Sequence, residues 1–267
     1  MKKHLALILL GALFFTGRLS AQEPFTLNTA NEIIQISGSV SLTGSAILCD
    51  KVFHIKENNY EIWTEDYSTI SYMEQCLMVP YSKALHYTGT GTAALALLSP
   101  ALMLLTPNDQ WLTIGVMYAE TLLWAYGIKE WGKLLVNRAR PYMYFEGYPQ
   151  DKVEDGDWNC SFPSGHTTLA FAGAAFTTYL FNQYFPESSW KFAVAGVSFG
   201  IAATTGALRI ASGNHFLTDV LTGALIGTIC GLAVPFMHTT TFYNSFHKKN
   251  KTELTLSPLG FSAKVNF

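Results

Sequence analysis

Charge is what this 267-residue chain has least of: Asp, Glu, Lys and Arg make up 13% of it, against roughly 25% in an ordinary soluble domain. What charge there is nearly cancels, 17 basic residues against 19 acidic for a net of −2, so the chain shows no basic footprint for nucleic acid. Cysteine is sparse too. Cys49, Cys76, Cys160 and Cys230 form no Cys-x-x-Cys, and no His-Glu-x-x-His occurs, which removes the common redox and zinc signatures; no metal and no cofactor are expected. Cys230 sits in an apolar run and reads as a small core hydrophobe. The other three fall in segments expected in an oxidising compartment, where one disulfide stays open but spacing names no pair.

Apolar residues are what fills the space: 49% hydrophobic, 14% aromatic. The start, Met1-Lys2-Lys3-His4, an apolar stretch from Leu5 to Phe15 and then Ser20-Ala21-Gln22, reads as a secretory signal over 1–21, cut after Ala21 or kept as an anchor. Residues 22–87 show no apolar run long enough to cross a bilayer. They are expected as short helices on or beside the membrane at its extracytoplasmic side, with Asp50, Glu57, Glu61, Glu65 and Asp66 as a solvated face.

From Thr88 the texture changes. Stretches at 89–106, 111–131, 167–185, 191–208 and 216–237 approach the about 20 residues that span a hydrocarbon core, and Pro100 is expected to kink the first. Small residues are dense in the last three, for example Ala172-Gly173-Ala174-Ala175, which lets helices approach closely in lipid. The expected fold is all-α: a multi-pass transmembrane helical bundle over 88–237, an extracytoplasmic N-terminal segment, and a cytoplasmic tail over 238–267. Lys248, Lys249 and Lys251 on that tail agree with the excess of positive charge on inner loops. Gly260 to Phe267 alternates in strand fashion, and a lone strand makes no barrel. Within the second span Lys129 is expected to snorkel to the interface, and Glu120 to pair inside the bundle or hold a proton. His54, His86 and His238 have no motif around them and read as surface or interfacial.

Three short segments carry chemistry: Lys133 with Arg140-Pro141, then Pro163-Ser164-Gly165-His166, then Arg209 with His215 and Asp219. A phosphate dianion needs several fixed donors and an in-line nucleophile. Arg140 and Arg209 offer planar forks that match phosphate oxygens in pairs, and Lys133 adds a point charge. Ser164 and Gly165 precede an apolar helical run, so the Ser164 hydroxyl and nearby amides are expected to face an anion at a helix N-terminus. His215 and Asp219, four apart, are expected to share a helix face where the carboxylate holds the Nδ1–H; His166 is left as general acid. Between the segments, Tyr142, Tyr144, Phe145, Tyr148 and Trp158 read as a rim guiding a lipid headgroup or as a plain interfacial anchor.

In these residues the chain resembles the type 2 phosphatidic acid phosphatase superfamily, membrane-bound lipid phosphatase branch, whose pattern is a lysine, six residues, Arg-Pro; Pro-Ser-Gly-His; and Ser-Arg, five residues, His, three residues, Asp. One position departs: Leu208 stands where the family usually has serine. The resemblance implies that His215 attacks phosphorus to form a phosphohistidine, Asp219 orients it, His166 protonates the leaving group, and Lys133, Arg140, Ser164, Gly165 and Arg209 hold the phosphoryl oxygens without a metal. It implies a lipid phosphate as substrate and membrane lipid as surroundings. The site would face the periplasm or exterior of a cell membrane. Isoprenoid diphosphate, phosphatidic acid, phosphatidylglycerol phosphate and phosphorylated lipid A remain open as substrates. A secreted acid phosphatase, a vanadate-dependent haloperoxidase and a membrane protein that binds lipid phosphate without turnover stand as the other readings.

Overall fold

A computed structural model of the chain describes residues 23–53, 66–249, 251–257 and 260–266. The signal or anchor, His54, Glu57, Glu61 and Glu65 lie outside the described residues. The bundle is built from α1 (Thr29–Lys51), α2 (Lys83–Leu97), α3 (Trp111–Val136), α4 (Gly165–Tyr184), α5 (Lys191–Ala211) and α6 (Leu217–Met237). A shorter α7 (Thr240–Lys249) follows. Pro100 opens a 3-10 stretch, Ser99–Leu105, because a proline that cannot donate into an α-helix is tolerated in a first turn.

The centre of the bundle is α4, which touches α2, α3, α5 and α6, while α1 packs from outside on α3. Glycine decides the closest of these contacts. Gly223, Gly227 and Gly231 recur every fourth residue on α6, and a Cβ on any of them would lie within 2.7 Å of the Ser164, Thr168 or Ala172 carbonyl oxygen. Backbones so near each other exchange dispersion contacts that larger side chains would prevent. Toward the end of α4, Phe25, Met103, Met117, Phe176 and Phe181 fill a separate apolar core.

Among the described residues, α1, the unit Lys83–Leu105, α5 and α6 are long and apolar enough to cross a membrane. Leu221, Leu225, Ile229, Leu232 and Phe236 form an exposed stripe on α6. Such a stripe is costly in water and at home in lipid. The expected multi-pass helical bundle is what folds.

Two expectations about the ends are corrected. Residues 22–87 do not hold short helices only, since α1 runs 23 residues. Its apolar signal is diluted by hydroxyls that turn onto carbonyls, Ser45 Oγ to Leu42 O (2.9 Å) and Thr43 Oγ1 across to Leu123 O (3.0 Å). Gly38 gives the Trp124 ring room to close on the helix, and Asn28 caps its start by accepting from Ala30 N at 3.0 Å. The segment also touches both ends of the bundle, because Thr26 N–H donates to His238 O while Asp50 and Lys51 lie by Glu130 and Lys133 at the other end. Beyond α7, β1 (Lys251–Ser257) pairs antiparallel with β2 (Gly260–Asn266), so the alternating terminal stretch is half of a hairpin. No disulfide joins the four cysteines, all of them described residues.

Candidate active site

Each motif segment sits where a helix begins or ends. Asn137 terminates α3 in the left-handed region (φ 46°), donates its N–H to Lys133 O, and turns the chain toward Arg140. Ser164 is the residue before α4, so Gly165 and His166 lie in the first turn, where amides have no partner inside the helix. Between α5 and α6, Gly213 takes a φ of +70° hard against Val79 O, and the amides of Asn214 and His215 both return to Arg209 O at 3.2 Å. That turn brings His215 back beside Arg209.

A cavity of about 390 Å³ opens there, lined by Lys133, Arg140, Gly165, His166, Arg209 and His215. Its other wall is Ala93, Ala94, Leu97 and Leu169. Polar and apolar halves therefore share one opening. The two predicted residues that do not line it are Ser164 and Asp219. Ser164 donates its N–H to Asp219 O (3.0 Å), which ties the starts of α4 and α6 together. Its hydroxyl pairs with Thr167 Oγ1 (2.8 Å) within the first turn of α4, turned away from the cavity lining and so from the expected contact with an anion.

The His215–Asp219 pair is corrected as well. His215 lies before α6 rather than on it, and its Nδ1 is 3.8 Å from Asp219 Oδ2, too long for a hydrogen bond. Nδ1 instead meets Ser161 O at 2.7 Å, and because a carbonyl only accepts, the ring proton resides on Nδ1. Asp219 acts one step back. Its Oδ2 accepts from Ser161 Oγ (2.5 Å) and Phe216 N (2.8 Å), fixing the segments on either side of the imidazole, while Oδ1 accepts from Arg138 Nη1 (2.7 Å). His215 Nε2 keeps its lone pair and accepts from Arg140 Nη1 at 3.1 Å. Burial, and after it the charge of Arg140, depress the His215 pKa to about 3, so the ring is neutral at physiological pH.

Arg140 is fully engaged: Nε to Asp157 O (2.9 Å), Nη2 to Asp157 Oδ1 (2.7 Å) and Nη1 to Asn214 O (2.9 Å). Burial would raise the Asp157 pKa, but Arg140 and Lys152 outweigh it and hold the carboxyl well below its usual range. Arg209 is 1% exposed, with Nη1 against His86 Nδ1 and His86 O, both at 3.3 Å, and Nε without a partner among the described residues. Leu208, the departure from the motif, packs beside Gly89.

Several site residues were not legible in the motifs. Arg138 joins Glu74 (2.9 Å) to Asp219 and stacks 3.9 Å over the Phe216 ring. His86 and Thr90, one turn apart on α2, line the cavity, and Thr90 Oγ1 stands 3.3 Å from His166 Nε2. Their four-residue spacing was the one available signal; Asp157 had none. Lys129 does not snorkel: it is 5% exposed, lines the cavity, pairs with Glu130, and lies 3.7 Å over the Tyr126 ring. His238 is not a surface group either, being 1% exposed, while His86 is half-buried in the cavity wall. The loop aromatics are neither rim nor anchor throughout, because Tyr142 and Trp158 are buried with Met143 and Val153 in a small core. That core supports the Arg140–Asp157 pair.

The sequence model of the PAP2 superfamily matches residues 114–243, a stretch that includes all three motif segments. The lipid A 1-phosphatase of Porphyromonas gingivalis is 37% identical over 110 residues, covering 39% of this chain and 23% of that protein. The bacitracin transport permease protein BcrC of Bacillus licheniformis is 33% identical over 104 residues, 39% of this chain and 46% of that one. This chain thus spans less than half the length of either relative. Among solved structures, a transmembrane PAP2 type phosphatidylglycerolphosphate phosphatase of Bacillus subtilis aligns at a TM-score of 0.44 and 19% identity, over 81% of this chain and 98% of that one.

Proposed function

We propose that this chain, which carries a PAP2 superfamily domain, is an integral membrane phosphatase that hydrolyses the phosphate ester or diphosphate of a lipid through a phosphohistidine, without a metal, at the non-cytoplasmic face. The observation that carries the reading is the neutral His215 with its Nδ1–H held on Ser161 O and its Nε2 beside Arg140, in a cavity half cationic and half apolar. A lipid phosphate has the same two halves.

Binding turns Arg140 Nη1 from His215 to a phosphoryl oxygen, and Lys133 and Arg209 take the others. Burial and then the Arg209 charge depress the His166 pKa to about 3, so its ring becomes the imidazolium by taking the acidic proton of the incoming phosphate monoanion. His215 Nε2 then bonds to phosphorus as the bond to the leaving oxygen breaks, and His166 delivers that proton to the leaving oxygen. Formation of the N–P bond places positive charge on the ring. Ser161 O and, behind it, Asp219 stabilise that charge. Neutral His166 next removes a proton from water, whose oxygen bonds to phosphorus while the N–P bond breaks, releasing inorganic phosphate and restoring both histidines. For a diphosphate the first leaving group is the lipid monophosphate.

The relative named for lipid A 1-phosphate supports an envelope lipid as the first substrate to try. The outward face is supported by Lys248, Lys249 and Lys251, which follow α6 at the opposite end from the cavity. Purified protein in detergent is to be assayed for phosphate release on lipid A 1-phosphate, isoprenyl diphosphate, phosphatidylglycerol phosphate and phosphatidate, with and without chelator. Release from at least one, unaffected by chelator and absent in His215→Ala, is expected. Near-normal release by that variant would overturn the mechanism.

A further inference from the structure

At the end of the bundle away from the phosphate cavity, three ionisable side chains from three helices converge: Glu32 of α1, Glu120 of α3 and His238, the residue that closes α6. His238 Nδ1 lies 2.8 Å from Val234 O, an acceptor only, so Nδ1 carries a proton and Nε2 is the ring atom turned into the cluster. Nε2 faces two carboxylates, Glu32 Oε1 at 3.0 Å and Glu120 Oε2 at 3.2 Å. Glu120 is 2% exposed and His238 1% exposed. No donor among the described residues other than His238 reaches the Glu120 carboxylate, while the Glu32 carboxylate, at the edge of the cluster, has the Asn28 amide beside it. Two carboxylates turned on one ring nitrogen inside a membrane helix bundle call for positive charge between them, supplied by protons or by a metal ion.

We propose that Glu32, Glu120 and His238 bind a divalent transition-metal ion of the zinc class and thereby tie α1, α3 and α6 together. A tetrahedral ion with ligand bonds of roughly 2.0–2.1 Å holds its ligand atoms about 3.3 Å apart, close to the spacings observed, and one nitrogen with two carboxylate oxygens is a zinc donor set that leaves a fourth position for water. The Val234 carbonyl orients the imidazole in the manner of the outer hydrogen bond of a metal-binding histidine. Two carboxylates and a neutral imidazole sum to −2, which one divalent ion cancels alone and protons cancel only two at a time. Along α6 the cluster stands roughly 28 Å from Asp219 at 1.5 Å per residue, so this ion takes no part in the phosphate site.

The full chain, purified in detergent without a polyhistidine tag and stripped with chelator, is to be given zinc chloride, desalted, and measured for bound zinc and melting midpoint. About one zinc per chain and a raised midpoint are expected for the wild type and for His215→Ala, whose missing imidazole belongs to the other site. Glu120→Gln and His238→Gln should bind zinc at least tenfold more weakly and lose the shift. If either fails to fold, Glu32→Gln carries the test, since its side chain is 16% exposed and lies at the cluster's edge. Zinc bound no better by the wild type than by these variants, or lost equally in His215→Ala, would overturn the site.

Discussion

At the scale of the residue, the proposed nucleophile is tuned by what surrounds it. An unfolded histidine takes its proton near pH 6.5, while buried His215 does so only near pH 3, so between those values the unfolded chain holds more protons. Stability present above pH 6.5 is therefore lost as the pH falls toward 3. The melting midpoint of the wild type should drop more steeply from pH 7 to pH 4 than that of His215→Asn; equal slopes would deny the buried neutral ring. Arg140→Lys keeps the charge but cannot meet Asp157 O, Asp157 Oδ1 and Asn214 O with one fork. Its kcat should fall by about 10²–10³, the usual cost of losing an oriented donor to the reacting oxygens. Arg138→Ala strips Asp219 Oδ1 of its cation and should cost about 1–3 kcal/mol in denaturant unfolding, with a fall in kcat because Asp219 holds Ser161 and so His215. An Arg138→Ala enzyme as stable and as fast as the wild type would show the brace to be idle.

At the scale of the element, α4 and α6 position the chemistry by how closely they approach. His166 opens one and His215 precedes the other, so the distance between the proposed acid and nucleophile is set by the glycine stripe at 223, 227 and 231. Gly227→Val would press a branched side chain into the Thr168 carbonyl and should destabilise the protein by about 1–3 kcal/mol, read as a lowered melting midpoint in detergent. A variant melting with the wild type would mean the helices can part freely. These glycines were visible in the sequence, as was the apolar length of α5 and α6. The span in α1 was hidden, because its serines and threonines count as polar in a hydropathy reading yet spend their hydroxyls on backbone carbonyls.

At the scale of the whole molecule, the bundle has two chemically distinct ends, the proposed phosphate cavity at one and His238 with α7 at the other. In a background with the four cysteines changed to serine, Lys152→Cys beside the cavity should react with a membrane-impermeant thiol reagent on intact cells. Asn244→Cys, exposed on α7, should react only after permeabilisation; the reverse pattern would invert the proposed orientation. The amino-acid order alone determined that apolar helices alternate with three cationic and histidine-bearing segments, since chain length, periodicity and residue type are local properties. Only the folded chain decided which groups touch. Asp219 lies four residues from His215, yet a helix that begins after the histidine leaves the carboxylate to hold Ser161 and Arg138 instead. Lys129, His86 and Asp157 joined the site, and Glu32, Glu120 and His238 came together far from it, through contacts between residues distant in sequence. Such contacts arise from helix packing, to which no local pattern in the sequence is sensitive.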